Sequence, residues 1–233
     1  MAIVTGAGRG IGRSIAKAYG AAGAHVICAA RTVRQLEDLV TEIESHGGAA
    51  SAVPTDVTDE SAVRHLYSRA DELGRLDIAL LNAGGLPARG PIETNSLDDW
   101  QQTFDLNVTA AFLCAREAIP RLRSSGGGKL ILIGSGTGHA GVDAFSAYSC
   151  AKAAQWMLTR VLADGLRDDP ISVNEIVPGP VETTAGTGNF DANRFSGEWA
   201  KHPDDVVPLA MMLATQPDRG PTGQTYSLVR RRL

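Results

Sequence analysis

Ser135, Tyr148 and Lys152 stand out as side chains whose types and spacing could carry out a reaction. Tyr148 and Lys152 are one helical turn apart, so the phenol and the ammonium would lie on the same helix face as neighbours. Ser135 ends the apolar run Leu130-Ile131-Leu132-Ile133-Gly134, where a parallel sheet would present a hydroxyl at its carboxyl edge. A hydroxyl donor, a phenol and a nearby cation are what a carbonyl needs in order to be polarised and protonated while a hydride arrives from elsewhere. Tyr-x-x-x-Lys by itself also occurs on helices that do no chemistry. The reading therefore depends on whether the rest of the chain can hold a hydride carrier.

The elements that precede this triad supply one. Ala2-Ile3-Val4 reads as a short strand and is followed by Thr5-Gly6-Ala7-Gly8-Arg9-Gly10-Ile11-Gly12. Ile11, Ile15, Ala18 and Tyr19 then recur at helical spacing, which puts the glycines between a strand and a helix. Glycines there let the backbone turn sharply and approach a diphosphate, and the helix amino terminus offers free N–H groups. The spacing is Gly-x-x-x-Gly-x-Gly, not the commoner Gly-x-Gly-x-x-Gly. A second strand, His25 to Ala29, ends at Ala30-Arg31-Thr32, where the ribose of a dinucleotide would lie. A carboxylate there would bond a free 2′-hydroxyl, whereas Arg31, with Arg9 in the glycine loop, favours the 2′-phosphate of NADP(H).

A second helix carries Leu36, Leu39, Val40 and Ile43. A third strand, Ala50 to Val53, leads to Asp56-Val57, and a third helix carries Val63, Leu66, Tyr67, Ala70 and Leu73. Asp56 is placed either to accept from an adenine amino group or to cap the helix beginning near Asp59. A fourth strand, Ile78 to Leu81, ends in Asn82-Ala83-Gly84, residues small enough to pack beside a cofactor ring. A long helix is expected from about Leu97 to Leu122. Asn107 lies inside it, either bending it so that a carbonyl or side chain holds a water behind Lys152, or simply facing solvent. A fifth strand then leads to Ser135. A sixth, Ile171 to Val177, ends in Pro178-Gly179-Pro180-Val181-Glu182-Thr183. This alternation calls for an α/β fold, a single doubly wound parallel sheet of Rossmann type with helices on both faces.

At 233 residues and 43% hydrophobic, the chain suits one domain spanning 1–233. A net charge of -4 without long runs of one sign argues against nucleic-acid or anionic-membrane partners, and Arg230, Arg231 and Arg232 read as a solvated tail. Cys28, Cys114 and Cys150 are far apart in or beside apolar segments, as expected of reduced, buried thiols in a cytoplasmic protein. No Cys/His cluster has the spacing of a metal site. The chain enters its first strand without a charged-then-apolar leader, and no apolar run approaches membrane-spanning length.

In this order and spacing the residues resemble the short-chain dehydrogenase/reductase family, over nearly the whole chain. Thr5, Gly6, Gly10 and Gly12 look like its cofactor loop, Asp56 its adenine contact, and Asn82-Ala83-Gly84 its sheet-stabilising motif. Pro178-Gly179 with Thr183 resembles its nicotinamide-side segment, and Ile11, Val57 and Val181 fall beside these motifs as further expected cofactor contacts. Asn107, Ser135, Tyr148 and Lys152 match its catalytic tetrad. The resemblance implies hydride transfer between nicotinamide and a carbonyl or alcohol carbon. Tyr148 would act as acid or base and Ser135 would orient the substrate oxygen. Lys152 would bind the nicotinamide ribose and lower the tyrosine pKa, and Asn107 would hold a relay water. Arg9 and Arg31 match NADP-preferring members, including ketoacyl carrier protein reductases and carbonyl reductases. The chain departs from the family pattern at Glu175, where a small apolar residue is usual, and in ending Tyr226-Ser227-Leu228-Val229 and three arginines.

The expected activity is NADPH-dependent reduction of a small-molecule ketone or aldehyde. Ketoacyl carrier protein reduction and a non-catalytic NADP-binding regulator are the alternatives. A sugar-nucleotide lyase or epimerase fits less well, because only about fifty residues follow Thr183. The segment 184–200, with Phe190, Phe195 and Trp199, is expected to be a substrate lid facing a wall of His139, Val142 and Phe145. The apolar faces of the Leu97–Leu122 and Ala147–Arg167 helices predict a homodimer or homotetramer.

Overall fold

The computed structural model describes residues 1–182, 198 and 200–229. Seven strands are paired throughout in parallel: β1 (Ala2–Thr5), β2 (His25–Ala30), β3 (Ala49–Pro54), β4 (Ile78–Leu81), β5 (Gly128–Ile133), β6 (Ile171–Val177) and β7 (Thr225–Ser227). Their order in the sheet is β3-β2-β1-β4-β5-β6-β7. Because the chain returns to the middle between β1 and β4, the loops leaving these two strands diverge and open a crevice at their carboxyl ends.

The strands are near-continuous apolar runs because both faces are covered. Helices α1 (Gly10–Ala21) and α2 (Val33–Ser45) lie on one side with α8 (Val207–Thr215), burying Ile15, Tyr19, Leu36, Leu39 and Leu213 against Val4, Val26 and Ile131. On the other side, α3 (Glu60–Leu73), α5 (Ala110–Ser124) and α7 (Ser146–Gly165) cover Ile3, Leu81, Leu130 and Val173 with Leu66, Tyr67, Leu122 and Ala163. Among the described residues the remaining α-helices are α4 (Leu97–Phe104) and the short α6 (Thr137–Ala140). Among the described residues no helix is long and apolar enough to cross a membrane.

The long helix expected over Leu97–Leu122 is not uniform. Between α4 and α5 the residues Asp105–Thr109 form a π-helical turn centred on Asn107, which is fully buried and does not face solvent. Its amide donates to Gly85 O and Thr103 O, each at 2.9 Å, and its Oδ1 accepts from Gly85 N at 3.1 Å. A polar side chain that bonds outward from a helix interior in this way widens the local turn. The expectation of three buried thiols also needs correction. Cys28 and Cys114 are buried, but Cys150 is exposed. It lies two residues from both Tyr148 and Lys152, on the opposite side of α7.

Candidate active site

The glycine loop joins β1 to α1 and is fastened from below by β4. Thr5 Oγ1 accepts from Asn82 N at 3.0 Å and Ala83 N at 3.1 Å, while Asn82 Nδ2 donates to Thr5 O at 2.9 Å and Gly6 O at 3.2 Å. Gly6 adopts a positive φ of 65°, and a methyl group on Gly12 would collide with the Gly6 carbonyl and the Asn82 amide. The glycines thus allow three backbone segments to pack together. The amino end of α1 has no side-chain cap, so its first N–H groups face the crevice.

That crevice is a cleft of about 990 Å³, lined at one end by Gly6, Arg9, Gly10 and Ile11, with Arg31 and Thr32 after β2 and Asp56 and Val57 after β3. Its middle is formed by Asn82, Ala83 and Gly84, and the far end by Ser135, Tyr148 and Lys152, with Pro178, Gly179 and Val181. Gly12 and Asn107 are not on its surface; they pack directly behind it. The size is at the upper end of small-molecule sites, enough for a dinucleotide with a second molecule beside it. Gly loop, exposed helix N–H groups and the Arg9 and Arg31 side chains fit such a group.

Asp56 does not cap α3. Its Oδ1 accepts from Thr58 N at 3.0 Å and Thr58 Oγ1 at 2.7 Å, closing a local turn, and Asp59 is the cap, accepting from Ser61 N at 2.7 Å. Asp56 is left as a cleft-lining carboxylate.

At the far end, Ser135 and Tyr148 line the same part of the cleft, and Ser135 Oγ lies 3.0 Å from Thr137 Oγ1. Desolvation raises the Tyr148 phenol above its usual range, with the Ser135 hydroxyl opposing it. This reverses the expected direction, in which Lys152 lowers it. The reason is where the ammonium points. Lys152 Nζ donates to Ile133 O at 2.9 Å and Gln155 Oε1 at 2.7 Å, and sits 5.8 Å from the centre of the Tyr148 ring, over its face. Burial lowers Lys152 itself to about 8, partly offset by the negative charge of Glu175. Gly84 leaves the room this cluster needs, because a methyl group there would press on Asn107 Oδ1 at 2.9 Å and Lys152 Nζ at 3.4 Å.

Val142 and Phe145 line the substrate end as expected, but His139 does not. Its ring points behind the wall, with Nε2 3.0 Å from Glu175 Oε2 and the ring 4.9 Å from that of Trp156. A buried carboxylate attracts the imidazole more strongly than an open apolar wall does. Thr183, Phe190, Phe195 and Trp199, most of the expected 184–200 lid, and Arg230 to Arg232 lie outside the described residues. Sequence reasoning missed Gln35, which packs under Gly8 beside Arg31, and Gln155, the partner of Lys152. Gln155 had a legible signal: an amide three residues after Lys152 on an otherwise apolar helix face.

Comparison with known proteins settles the family. The short chain dehydrogenase profile matches residues 1–194. This chain belongs to the short-chain dehydrogenase/reductase family. It is therefore an oxidoreductase of the short-chain type and pairs with a nicotinamide cofactor. A short-chain type dehydrogenase/reductase of Picea abies is 35% identical over 233 residues, covering 92% of this chain and 85% of the relative. A chloroplastic NADPH-dependent aldehyde reductase-like protein of Arabidopsis thaliana is 33% identical, covering 92% and 87%. Among solved structures, a short chain dehydrogenase from Burkholderia cenocepacia in complex with NADP superimposes with a TM-score of 0.89 at 32% identity, over 98% of this chain and 95% of that one.

Proposed function

We propose that this short-chain dehydrogenase/reductase is an NADPH-dependent carbonyl reductase acting on ketones or aldehydes. The observation that carries the reading is the grouping of Ser135, Tyr148 and Lys152 around the far end of one cleft whose other end holds Arg9 and Arg31. The bound nicotinamide supplies the hydride; the chain supplies everything else. Ser135 and Tyr148 both offer a hydroxyl to the substrate oxygen, and Tyr148 delivers the proton. A phenol raised above its usual range stays protonated at neutral pH, which suits the direction of reduction. Lys152 holds positive charge close to the phenol as the proton leaves. Asn107 fixes Gly85 and hence the loop beyond β4. With both its amide hydrogens engaged, any relay water behind Lys152 would fall to the main-chain carbonyl of Asn107.

Arg9 and Arg31 support NADPH over NADH, because both line the end of the cleft beside β2 and no carboxylate stands at Ala30 or Thr32. The relatives bearing NADPH in their name or NADP in their crystal are consistent with this choice. Val142, Phe145 and Leu86 make the substrate end apolar, which favours carbonyl compounds with a hydrophobic substituent. Loss of near-ultraviolet NADPH absorbance against a panel of ketones, β-ketoesters and aldehydes tests the reading. Turnover of at least one carbonyl class, with NADH slower, is expected. Cofactor binding without turnover of any member would instead favour a non-catalytic regulator.

A further inference from the structure

Glu175 has no part in the reaction above, yet it is the most unexpected residue near it. It sits in β6 opposite Leu132 and is 1% exposed. Its Oε2 is held by His139 Nε2 at 3.0 Å and Thr225 Oγ1 at 2.8 Å, while Oε1 is buried with no hydrogen-bond partner among the described residues. That second oxygen lies against the backbone of Gly134, where a methyl group would collide with it. Gly134 directly follows Ile133, whose carbonyl anchors Lys152 Nζ. A carboxylate so placed is costly to desolvate, and a small apolar side chain would occupy the position without that cost.

Lys152 has the converse difficulty. It is 3% exposed, and its ammonium is hydrogen-bonded to two neutral oxygens, those of Ile133 and Gln155. Among the described residues, the titratable groups presented toward it are Tyr148 from its own helix and Glu175 from β6, with His139 of α6 behind Glu175. The loop after β4 and the π-turn present Gly84 and Asn107, both neutral. Glu175 Oε1, against Gly134, stands next to the Ile133 carbonyl that holds Lys152, and its negative charge opposes the loss of the lysine proton by burial.

We propose that Glu175 is the buried counter-charge of the Lys152 ammonium, held in place by His139 and Thr225, and is thereby a positioning residue for proton transfer at Tyr148. The consequence at Tyr148 rests on the reductase reading; the pairing of Glu175 with Lys152 does not. Glu175 keeps Lys152 cationic in the pH range where burial alone would discharge it, and His139 and Thr225 keep the carboxylate from turning away.

The charge state of Lys152 can be read without substrate or cofactor. In full-length protein carrying ¹³C-labelled lysine, the Lys152 signal is assigned by its absence in Lys152→Arg, and its titration is followed by NMR. The parent midpoint is expected at about 8. Glu175→Gln, similar in size but neutral, should lower it by about one unit, a tenfold change in protonation equilibrium. Glu175→Ala should shift it the same way and serves if the Gln variant does not fold. An unchanged midpoint in whichever variant folds overturns the proposal. Affinity for NADPH and NADH, measured by nicotinamide fluorescence, gives a second readout. The ammonium contributes below its midpoint and stops contributing as pH rises through it. Alkaline loss of affinity should therefore begin about one unit earlier in the variants, with affinity near pH 6 unchanged within about twofold. A loss equal at every pH marks structural damage and counts against the assignment. If the parent reduces no carbonyl while the Lys152 midpoint still moves, the reductase reading fails and the charge pairing stands.

Discussion

Tyr148 and Lys152 show how far the properties of a residue depend on what its atoms touch. Proximity in sequence suggests that the lysine charge lowers the tyrosine pKa. In the fold the ammonium turns toward Ile133 O and Gln155, and desolvation dominates both groups, raising the phenol and lowering the amine. Tyr148→Phe keeps the ring and its packing and removes the transferable proton. Turnover is expected to fall by about 10²–10⁴, with cofactor affinity and melting temperature nearly unchanged. A variant turning over carbonyls near the parent rate would remove Tyr148 from the chemistry. The arginines belong to this scale too. A charge-assisted hydrogen bond from Arg31 to a 2′-phosphate is expected to make Arg31→Ala bind NADPH about ten- to hundredfold more weakly and NADH almost unchanged. Equal weakening of both cofactors, in a fluorescence titration, would show that Arg31 does not read the phosphate.

Among the elements, the π-turn between α4 and α5 has the clearest local cause. Asn107 is inside a helix, where an amide is unfavourable, and it remains there because it satisfies the backbone of Gly85 on both its N–H and its C=O. The loop leaving β4 is thereby clamped to the helix that follows it. Asn107→Leu would leave these buried or half-buried groups without partners. It is expected to lower unfolding free energy by about 1–3 kcal/mol in urea titration and to raise KM for cofactor as the Gly84–Gly85 backbone drifts. An unchanged urea midpoint would mean that the clamp contributes nothing to stability. The glycine loop is set in the same manner, by Asn82 and Thr5, so that the β1–α1 turn and the end of β4 behave as one unit.

For the molecule as a whole, the outer helices leave more apolar surface than a sheet can cover. Phe112 on α5 is 46% exposed, and Met157 and Val161 on α7 are 49% and 59% exposed. A contact between copies on these two helices would cover all three side chains. A homodimer or larger assembly built on these helices is expected in sedimentation at micromolar concentration, and Val161→Glu should drive it toward monomer. A monomeric parent would overturn this. Assembly through α7 would also stiffen the helix that carries Tyr148 and Lys152, so the monomeric variant is expected to lose turnover as well.

Much of the molecule is determined by local pattern. The period of apolar residues specified six strands and the helices between them, and the glycines of the first turn, together with the order of Asn107, Ser135, Tyr148 and Lys152, specified the family and the end of the sheet where the cleft opens. These features are legible because they depend on residues close in the chain: a turn that only glycine can make, or two side chains one helical turn apart. The short β7 and α8 went unread because their pairing and burial come from distant elements, β6 for the strand and α1 with β5 and β6 for the helix, and not from any periodicity of their own. The direction in which Lys152 points, the diversion of His139 to Glu175 and the use of Asn107 as a clamp depend on contacts between residues 19, 36 and 22 positions apart. Such contacts exist only once the sheet has assembled, and in a water-poor interior they decide which charges survive.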